Sequence, residues 1–503
     1  MRDVFNPRAG AQLTVTFDER TVTPDTVSSL SSLSASAFGA IYTDVSRANK
    51  TFTIHAAPRS ATVCRNGNHE ADTWSLEFDM RVLPFDPEGI AAIAVRIYMW
   101  DSEGDDVGKE WAVDGNLMVS GLADEDAIKI SPQQTLTMSG RDYTSVLDPE
   151  WDVRNPIPFG KPLQQTVQDI ADMAAPAGTT ARFLVVWNVT DDDGNPVPAS
   201  SVITFASARS TKEKGAWVKQ GKTYWDVIYE LVINHGFITF VTQAGDQAQI
   251  VISSPRTQTL QSLSQAPRIA YGHNLMTFEA SRKLAKNRVP QLRMIYWDAL
   301  QKQRFEVLYP GAHQSQPLGI GLGLKKNEIE TVPAPHYCHD RDSALRFCKM
   351  RWEMMARSET EYKMTTRHLR VPGGGDIDRE DRLYPPGTVN DVVGAEYNLL
   401  ALQAGDPIGV AFDPFNQEQV RSLDIGQREN FLEVLGYSPQ VAAFVARNIE
   451  IIDEFRQPFY TRKAEYHFDQ REGMTIEIEA VNFASERREL QFADQPAPGG
   501  QNT

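Results

Sequence analysis

Apolar and polar residues alternate with a period of two over much of residues 11–139. This alternation is typical of strands with one buried face, and it predicts strands over residues 11–17, 51–55, 73–82, 92–100, 111–119, 127–130 and 135–139. Turn-forming residues at 104–106 and 114–116 punctuate them, and the Ser/Thr-rich segment 26–36 is predicted to be a loop. The pattern indicates a β-sandwich or β-barrel.

The apolar spacing becomes helical after residue 160. Pro162 suits the first position of a helix, and Leu163, Val167, Ile170 and Ala174 then fall on one helical face. A strand rich in β-branched and aromatic residues is predicted to follow over residues 181–189.

A second helix is predicted to begin after Thr223, an N-cap residue with Asp226 three positions on, in the acidic form of the capping box. Gly236 suits its C-cap, and strands are predicted over residues 237–242 and 248–253. The two helical segments align at an offset of 61 residues, which pairs Gly160 with Gly221. We interpret this as a weak internal repeat of helix–strand units, with chance similarity between two capped amphipathic helices as the alternative.

The remainder of the chain mixes both periods. A polar, helix-compatible segment follows residue 275, and strands are predicted over 291–297, 305–309 and 405–412. Helices are predicted over 342–357 and 426–450, with Ser438 and Pro439 as a cap and first-turn pair. Segments 461–468 and 474–481 alternate cleanly on either side of a turn and predict a hairpin.

Four regions follow from these patterns. We predict an N-terminal β-domain at 1–148, two helix–strand insert units at 149–268, a second β-domain at 269–490 with the two helical insertions, and a disordered Pro/Gly/Gln-rich tail at 491–503. The predicted fold class is α+β, dominated by strands.

Composition limits the class of protein. The 503 residues are 41% hydrophobic and 23% charged, as in soluble globular proteins, and no run of 18 apolar residues predicts a membrane span. The N-terminus lacks the apolar region of a secretory signal, and three cysteines fit a reducing cytoplasm. The formal charge of −16 argues against general nucleic-acid binding and would suit a surface past which DNA slides, although many soluble proteins are acidic.

Candidate enzymatic and metal motifs are incomplete. Residues 215–223 have five residues between their glycines where a phosphate-binding P-loop has four, so helix capping is the preferred interpretation. Residues 190–195 resemble a calcium loop, but position 200 is serine where the EF-hand needs glutamate, so a hairpin turn is preferred. His69 and Glu70 lack the second histidine of a zincin.

A zinc site is the remaining metal candidate. His336, Cys338, His339 and Cys348 supply ligand types, but their spacing fits none of the usual zinc fingers, and Cys348 lies on an apolar helix face. Structural roles are therefore preferred. We predict no catalytic, cofactor-binding or metal-binding residues and no enzyme activity, although carboxylates are abundant enough that the pattern leaves a glycosidase open.

Five groups of residues stand out as recognition motifs. They are the strand and turn at 139–147, the helix start at 221–228 with 235–237, the segments 271–275, 289–290 and 297–298, the strand start at 405–408, and the terminal hairpin. In this order they resemble the baseplate hub proteins of phage tails, a family also called late control protein D. The resemblance covers roughly residues 130–485, and 426–450 looks like an addition to the family pattern.

The resemblance implies an architectural function. The resemblance implies a trimeric ring. Each chain of such a ring contributes two tube-like β-barrel domains, with small α/β units inserted. Such a ring joins a hexameric tail tube to a trimeric central spike and forms part of the conduit for DNA and the tape-measure protein. The implied partners are a homotrimer, the spike, the tail tube or distal tube protein, the tape-measure protein, baseplate wedge components and passing DNA that is not bound specifically.

The resemblance implies no cofactor and no catalytic residues. It places the protein in the baseplate of a virion tail that is assembled in the host cytoplasm. Two alternatives stay open at this point: a tail-associated cell-wall hydrolase, and the hub of a related contractile injection or secretion system. In this interpretation Arg141 and Asp142 are structural residues that fix the exit from the first β-domain.

Overall fold

A computed structural model describes residues 7–17, 40–46, 51–67, 70–79, 90–101, 116–129, 135–152, 154–158, 160–175, 183–191, 195–204, 215–216, 220–235, 237–244, 247–254, 267–270, 275–282, 291–298, 303–309, 329–333, 341–356, 360–367, 369–372, 396–403, 406–411, 423–434, 438–453 and 459–482. Most of these residues lie in strands, and the predicted strand-dominated α+β class is confirmed. Residues 26–36, 491–503 and Gly236, for which a loop, a tail and a helix cap were predicted, lie outside the described residues.

The strands are β1 (Pro7–Phe17), β2 (Ala40–Ser46), β3 (Thr51–Ala56), β4 (Ser60–Asn66), β5 (Thr73–Asp79), β6 (Ile90–Asp101), β7 (Asn116–Lys129), β8 (Thr135–Asp142), β9 (Ile157–Pro158), β10 (Leu184–Asn188), β11 (Gly215–Ala216), β12 (Ile238–Ala244), β13 (Gln247–Ser253), β14 (Arg268–Ala270), β15 (Leu275–Arg282), β16 (Gln291–Asp298), β17 (Gln303–Tyr309), β18 (Ile329–Pro333), β19 (Thr360–Thr366), β20 (Arg370–Pro372), β21 (Glu396–Asn398), β22 (Pro407–Ala411), β23 (Phe459–Asp469) and β24 (Gly473–Asn482). The helices are α1 (Leu163–Ala174), α2 (Tyr224–Asn234), α3 (Arg341–Ala356), α4 (Ile425–Val434) and α5 (Pro439–Asp453), and a 3₁₀ helix spans Tyr143–Leu147.

The chain forms two compact units. The first comprises Met1–Ser145, Ser262–Glu279 and Tyr362–Ala480, and the second comprises Val146–Gln261, Ala280–Glu361 and Val481–Thr503. The four regions proposed from the sequence, with boundaries at 148, 268 and 490, stay predictions.

One large sheet dominates the first unit. Within the described residues it holds fourteen strands in the order β15-β19-β24-β23-β4-β5-β8-β7-β6-β1-β3-β2, with β22 attached to β23 and β14 to β22. The predicted hairpin β23–β24 is confirmed, and β23 pairs antiparallel with β4, so that Tyr466 lies opposite Val63. Strands from the beginning and the end of the described chain therefore share one sheet.

Alternating residues of this sheet build the core. On β23 the side chains of Ala464, Tyr466 and Phe468 are buried while their neighbours are not. Burying one such aromatic side chain contributes about 2–3 kcal/mol. The same core includes Leu13, Ile54, Trp74, Leu76, Phe78, Ile97, Met138, Leu400, Phe459 and Ile476.

The second unit contains smaller sheets. One has the order β10-β13-β12, with β10 parallel to β13, another has the order β17-β16-β18, and β9 pairs with β11. Helix α3 packs on β16 and β17, where Ala344 and Cys348 are buried with Leu292, Met294 and Tyr296. In the described part of the chain, none of the helices combines the length and apolar character needed to cross a membrane.

Three predictions about elements were wrong. Two separate strands were predicted over 111–119 and 127–130, whereas residues 116–129 form the single strand β7. The helix-compatible segment after 275 is the strand β15. The helical prediction over 426–450 is confirmed by α4 and α5, and α5 begins at Pro439 after Ser438, whose hydroxyl accepts from the N–H of Val441 at 3.4 Å. Gly140 does not end its strand, since β8 continues to Asp142. Strand β4 was not predicted at all.

Candidate functional site

Gly140 of the 139–147 motif permits a close approach between strands. A Cβ atom at this position would lie 2.2 Å from the carbonyl oxygen of Leu122 on β7 and 2.5 Å from Cζ2 of Trp74 on β5. Gly121 on β7, which lies opposite Asp142, is equally constrained, because its Cβ would lie 1.9 Å from the Arg141 carbonyl oxygen. Gly140 therefore leaves room for the buried ring of Trp74, Gly121 allows β7 and β8 to approach closely, and neither glycine interrupts the sheet.

Asp142 ends β8 as a buried hydrogen-bond acceptor. Its Oδ1 accepts from the backbone N–H of Thr144 at 2.9 Å and from the Thr144 hydroxyl, and its Oδ2 accepts from the N–H of Asp72 at 3.3 Å. The N–H of Asp142 donates in return to the carbonyl oxygen of Asp72 at 2.9 Å. Asp72 accepts from the N–H of Asn66 at 2.8 Å through its own carboxylate. These bonds tie the turn between β4 and β5 to the end of β8.

Two carboxylates in this small buried space disfavour ionisation. Burial raises the pKa of Asp142 to about 6, although the hydrogen bonds from Thr144 and Asp72 and the charge of Arg141 lower it. Burial, followed by the charge of Asp142, raises the pKa of Asp72 well above its usual value. Arg141 itself points outward and forms an ion pair with Asp124 at 2.9 Å. The arrangement fits the structural role predicted for Arg141 and Asp142.

Arg65 is a buried cation that sequence reasoning missed. Its guanidinium donates to the carbonyl oxygens of Leu400 and Leu402, each at 2.8 Å, of Leu117 at 3.0 Å and of Met118 at 3.1 Å. It also lies 5.6 Å from the ring centroid of Tyr466. Arg65 therefore joins β4 to β7 and to the short 3₁₀ turn after β21. The only signal in the sequence was an arginine at an inward-facing position of an alternating segment.

Polar groups around Arg65 form one buried cluster. The Tyr466 hydroxyl donates to the carbonyl oxygens of Leu399 at 2.9 Å and Leu402 at 3.1 Å, and burial raises its pKa to about 12. Burial also raises the pKa of Asp406, opposed by a backbone hydrogen bond and by Arg65. These contacts connect strands from distant parts of the chain. The hydrogen bonds of Arg65 and Tyr466 therefore hold the sheet and the 3₁₀ turn together.

The two helical segments of the second unit share more than a sequence pattern. Gly160 and Gly221 both adopt positive φ, at 74° and 83°. Lys161 forms an ion pair with Asp169 at 2.5 Å, and Lys222 forms one with Glu230, at the equivalent positions of the second segment. The shared geometry favours the internal repeat over chance similarity.

The starts of the two helices also have equivalent backbone partners. The N–H of Leu163 donates to the carbonyl oxygen of Val202 at 2.8 Å, and the N–H of Tyr224 donates to that of Pro149 at 3.1 Å. The caps differ. The predicted capping box of Thr223 and Asp226 is confirmed, whereas α1 begins after Pro162 without a side-chain cap.

Helix α1 covers the edge of β10. Gln168 donates to the carbonyl oxygen of Phe183 and accepts from the N–H of Val185, both at 2.9 Å, and Gln164 donates to the carbonyl oxygen of Val185 at 2.9 Å. These amides satisfy backbone groups that β13, on the other side of β10, does not reach. The side chains of Gln164 and Gln168 thereby occupy backbone groups at a strand edge that could otherwise pair with another chain.

A polar groove lies on the outer face of the first unit, across β15, β19, β24 and β23. It has a volume of about 360 Å³, and its charged lining consists of Glu279, Lys363, Lys463, Glu465, Glu477 and Glu479. Lys363 pairs with Glu479 at 3.1 Å and Lys463 with Glu465 at 2.7 Å. Carboxylates outnumber lysines, so the groove is acidic.

The candidate enzymatic and metal motifs fall in ordinary structural positions where they are described. Gly221 precedes the capped start of α2, as expected for capping rather than phosphate binding. Thr190 and Pro196 form an antiparallel bridge, in agreement with a hairpin turn. Cys348 is buried and donates to the Leu292 carbonyl oxygen at 3.7 Å.

The described residues include no group of three potential metal ligands, while His69, His336, Cys338 and His339 lie outside them. The prediction that no residue is catalytic, binds a cofactor or binds a metal stays a prediction.

Comparisons with known proteins gave similarities of structure only. No protein-family model and no curated protein matches the chain. A tail protein from Neisseria meningitidis MC58 is similar at a TM-score of 0.45 with 14% identity, covering 86% of this chain and 94% of its own. The 43 kDa tail protein of prophage MuSo2 from Shewanella oneidensis has a TM-score of 0.43 and 12% identity, covering 88% and 97%.

A third similar structure is the E. coli c3393 protein, described as a component of the type VI secretion system. It has a TM-score of 0.40 and 8% identity, covering 85% of this chain and 73% of its own. These descriptions name tail and secretion proteins, as did the resemblance noted from the sequence motifs. At such low TM-scores and identities the similarity by itself assigns neither a family nor a function to this chain.

Proposed function

We propose that the chain is a structural hub of a phage-type tail. In this proposal it forms part of the tube wall, connects tail components to one another and has no enzyme activity. The observation that carries the proposal is the sheet of the first unit, which has an apolar buried face and a polar outer face. Its strands come from both ends of the described chain, and Arg65 and Tyr466 hold them together. Such a sheet is suited to forming part of a tube wall.

The order of the hub-like motifs supports this proposal. The 139–147 motif forms the end of β8 with its buried carboxylate, the 221–228 motif begins the capped helix α2, and the terminal hairpin lies inside the large sheet. Each of these three motifs thus has a structural task in the described part of the chain. This pattern is expected of a protein whose function is assembly.

Three copies would form the functional ring. The proposed ring joins a sixfold tail tube or distal tube protein to a threefold central spike, with further contacts to wedge components and to the tape-measure protein. Contacts between ring subunits would be heterologous and closed, and permanent assembly calls for extensive interfaces. The proposed location is the baseplate of a virion tail that is assembled in the host cytoplasm.

The acidic groove supports the conduit part of the proposal. We place the outer face of β15, β19, β24 and β23 toward the lumen, where Glu477 and Glu479 would repel passing DNA. Replacing both by lysine should slow DNA release from assembled particles and leave particle yield unchanged. Normal release from the double lysine variant would remove the lumen assignment and leave the hub itself untouched.

Solution mass tests the hub directly. Light scattering on the purified protein at high concentration should give three times the chain mass of 56.2 kDa. A stable monomer at all concentrations would contradict the proposal. A turbidity assay on purified peptidoglycan should show no clearing, and clearing would instead favour a tail-associated cell-wall hydrolase.

A further inference from the structure

The carboxylates of Asp72 and Asp142 lie close together and accept hydrogen bonds from two separate backbone segments. The Asp142 carboxylate binds the N–H of Thr144 at the start of the 3₁₀ helix and the N–H of Asp72 in the β4–β5 turn. The Asp72 carboxylate binds the N–H of Asn66 at the other end of the same turn. Any change in the charge of the pair therefore acts on both segments.

We propose that Asp72 and Asp142 form a proton-operated latch, in which uptake of a proton by the pair fastens the β4–β5 turn to the end of β8. With both groups ionised, two negative charges oppose each other where burial limits their hydration. With one group protonated the repulsion disappears and every backbone N–H keeps an oxygen acceptor. The proposal stands independently of the assigned function.

The charged and titratable groups near the pair lie on β4, β8 and β23. The charge of Arg141 lowers the pKa of Asp142 and the charge of Arg65 lowers that of Asp72, and arginine side chains keep their charge near neutral pH. Burial raises the pKa of the Cys64 thiol on β4 to about 11 and that of Tyr466 on β23 to about 12, so both stay neutral. Asp406, close to Arg65, is a third carboxyl whose pKa burial raises. The Asp72→Asn variant described below leaves Asp406 in place and therefore separates its titration from that of the pair.

The direction of the pH effect follows from linkage. The folded protein binds a proton at the pair more readily than the unfolded chain, because burial raises the pKa of both carboxyls. Stability from the latch is thus largest in acid and is lost as pH rises through about 6. This is opposite to the behaviour of an ordinary salt-bridged aspartate.

Hydrogen exchange measured by mass spectrometry on the full-length protein tests the latch. After correction for the intrinsic pH dependence of exchange, peptides covering 66–72 and 139–147 should be about tenfold better protected at pH 5.5 than at pH 8. A peptide covering 473–482 on β24 serves as the internal reference. Equal protection of the latch peptides at both pH values, relative to that reference, would overturn the proposal.

Asp72→Asn provides a variant that imitates the protonated latch. The amide keeps an oxygen for the N–H of Asn66 and can donate toward Asp142. Protection of both segments in this variant should be high at pH 8 and nearly independent of pH. Glu125→Gln, an exposed acid on β7, is the matched control and should behave like the native protein. A native-like pH dependence in Asp72→Asn would refute the latch, and the native-protein measurement decides the matter if that variant does not fold.

Discussion

Trp74 on β5 lies against Gly140 on β8, and its indole N–H donates to the carbonyl oxygen of the next residue, Arg141, at 3.2 Å. The missing side chain of the glycine makes room for the ring. This contact lies in the middle of the large sheet, where β7, β8 and β5 run side by side. Its tightness leads to the first prediction.

Gly140→Ala should destabilise the protein by about 3 kcal/mol or more, because the new methyl group meets a backbone oxygen and a buried ring on opposite sides. Urea unfolding followed by tryptophan fluorescence measures the loss. Gly426→Ala in α4 is the control, since its Cβ would meet nothing nearer than Asp424 Oδ1 at 3.6 Å. It should be neutral or slightly stabilising, and equal effects of the two substitutions would contradict the explanation.

Arg65→Met should cost about 3–5 kcal/mol, because four carbonyl oxygens lose the Arg65 guanidinium at once, although that of Leu402 keeps its bond from the Tyr466 hydroxyl. Thermal unfolding gives the size of the effect. Arg471→Met, at an exposed position in the β23–β24 turn, should change the melting temperature by less than about 1 °C. If Arg65→Met melted like the native protein, Arg65 would not be the link between the strands.

Gln168→Leu should uncover the edge of β10 and promote self-association. Two backbone groups lose their partners, Phe183 O and Val185 N, at a cost of about 1–3 kcal/mol. Light scattering during mild heating detects the association. Gln165→Leu, on the exposed side of α1, adds the same apolar surface without touching the edge. Aggregation of both variants to the same extent would point to hydrophobicity alone.

Thr223→Ala should destabilise α2 by about 1 kcal/mol, because it removes the acceptor of the Asp226 N–H. Pro162→Ala at the equivalent position of α1 should cost less, since no side-chain cap exists there to be lost. Hydrogen exchange of the backbone amides of α1 and α2, measured in each variant and in the native protein, gives the two losses of stability. Larger damage from Pro162→Ala would contradict the explanation that the Thr223 side chain stabilises the start of α2.

Cys64 and Cys348 should resist thiol reagents in the native protein at pH 8. Burial raises the pKa of Cys64 to about 11 and that of Cys348 to about 12, so hardly any thiolate forms. A Cys338→Ser background leaves only these two thiols in the chain. Reaction with a chromogenic disulfide should begin only on unfolding, and rapid labelling of the folded protein would contradict the burial of both.

Local patterns predicted elements well where one face is apolar and the ends carry caps. The strand β1, the hairpin β23–β24 and the capped helix α2 are examples. Strand β4 was missed because Arg65 occupies an inward position, and only its distant carbonyl partners make that burial favourable. Gly140 was interpreted as a strand end, since a glycine that accommodates a neighbouring ring has the same local signature as a breaker.

The candidate site was less predictable than the fold. Asp142 was recognised as structural, but its partner Asp72 lies 70 residues away and no local pattern links the two. The repeat of the Gly–Lys helix starts was visible in the sequence. Its ion pairs became evident only when the helices placed Asp169 and Glu230 beside their lysines.

The pairing of β4 with β23 determines how late during synthesis the large sheet can close. Thr62 and His467 bond across these strands although 405 residues separate them. A ribosome must therefore add almost the whole intervening chain before the free side of β4 is covered, and contacts of such long sequence separation form slowly. A product released early keeps an uncovered strand and is exposed to aggregation or proteolysis. The large sheet therefore closes only after nearly all of the chain between β4 and β23 has been made, so a chain that stops early cannot complete its core.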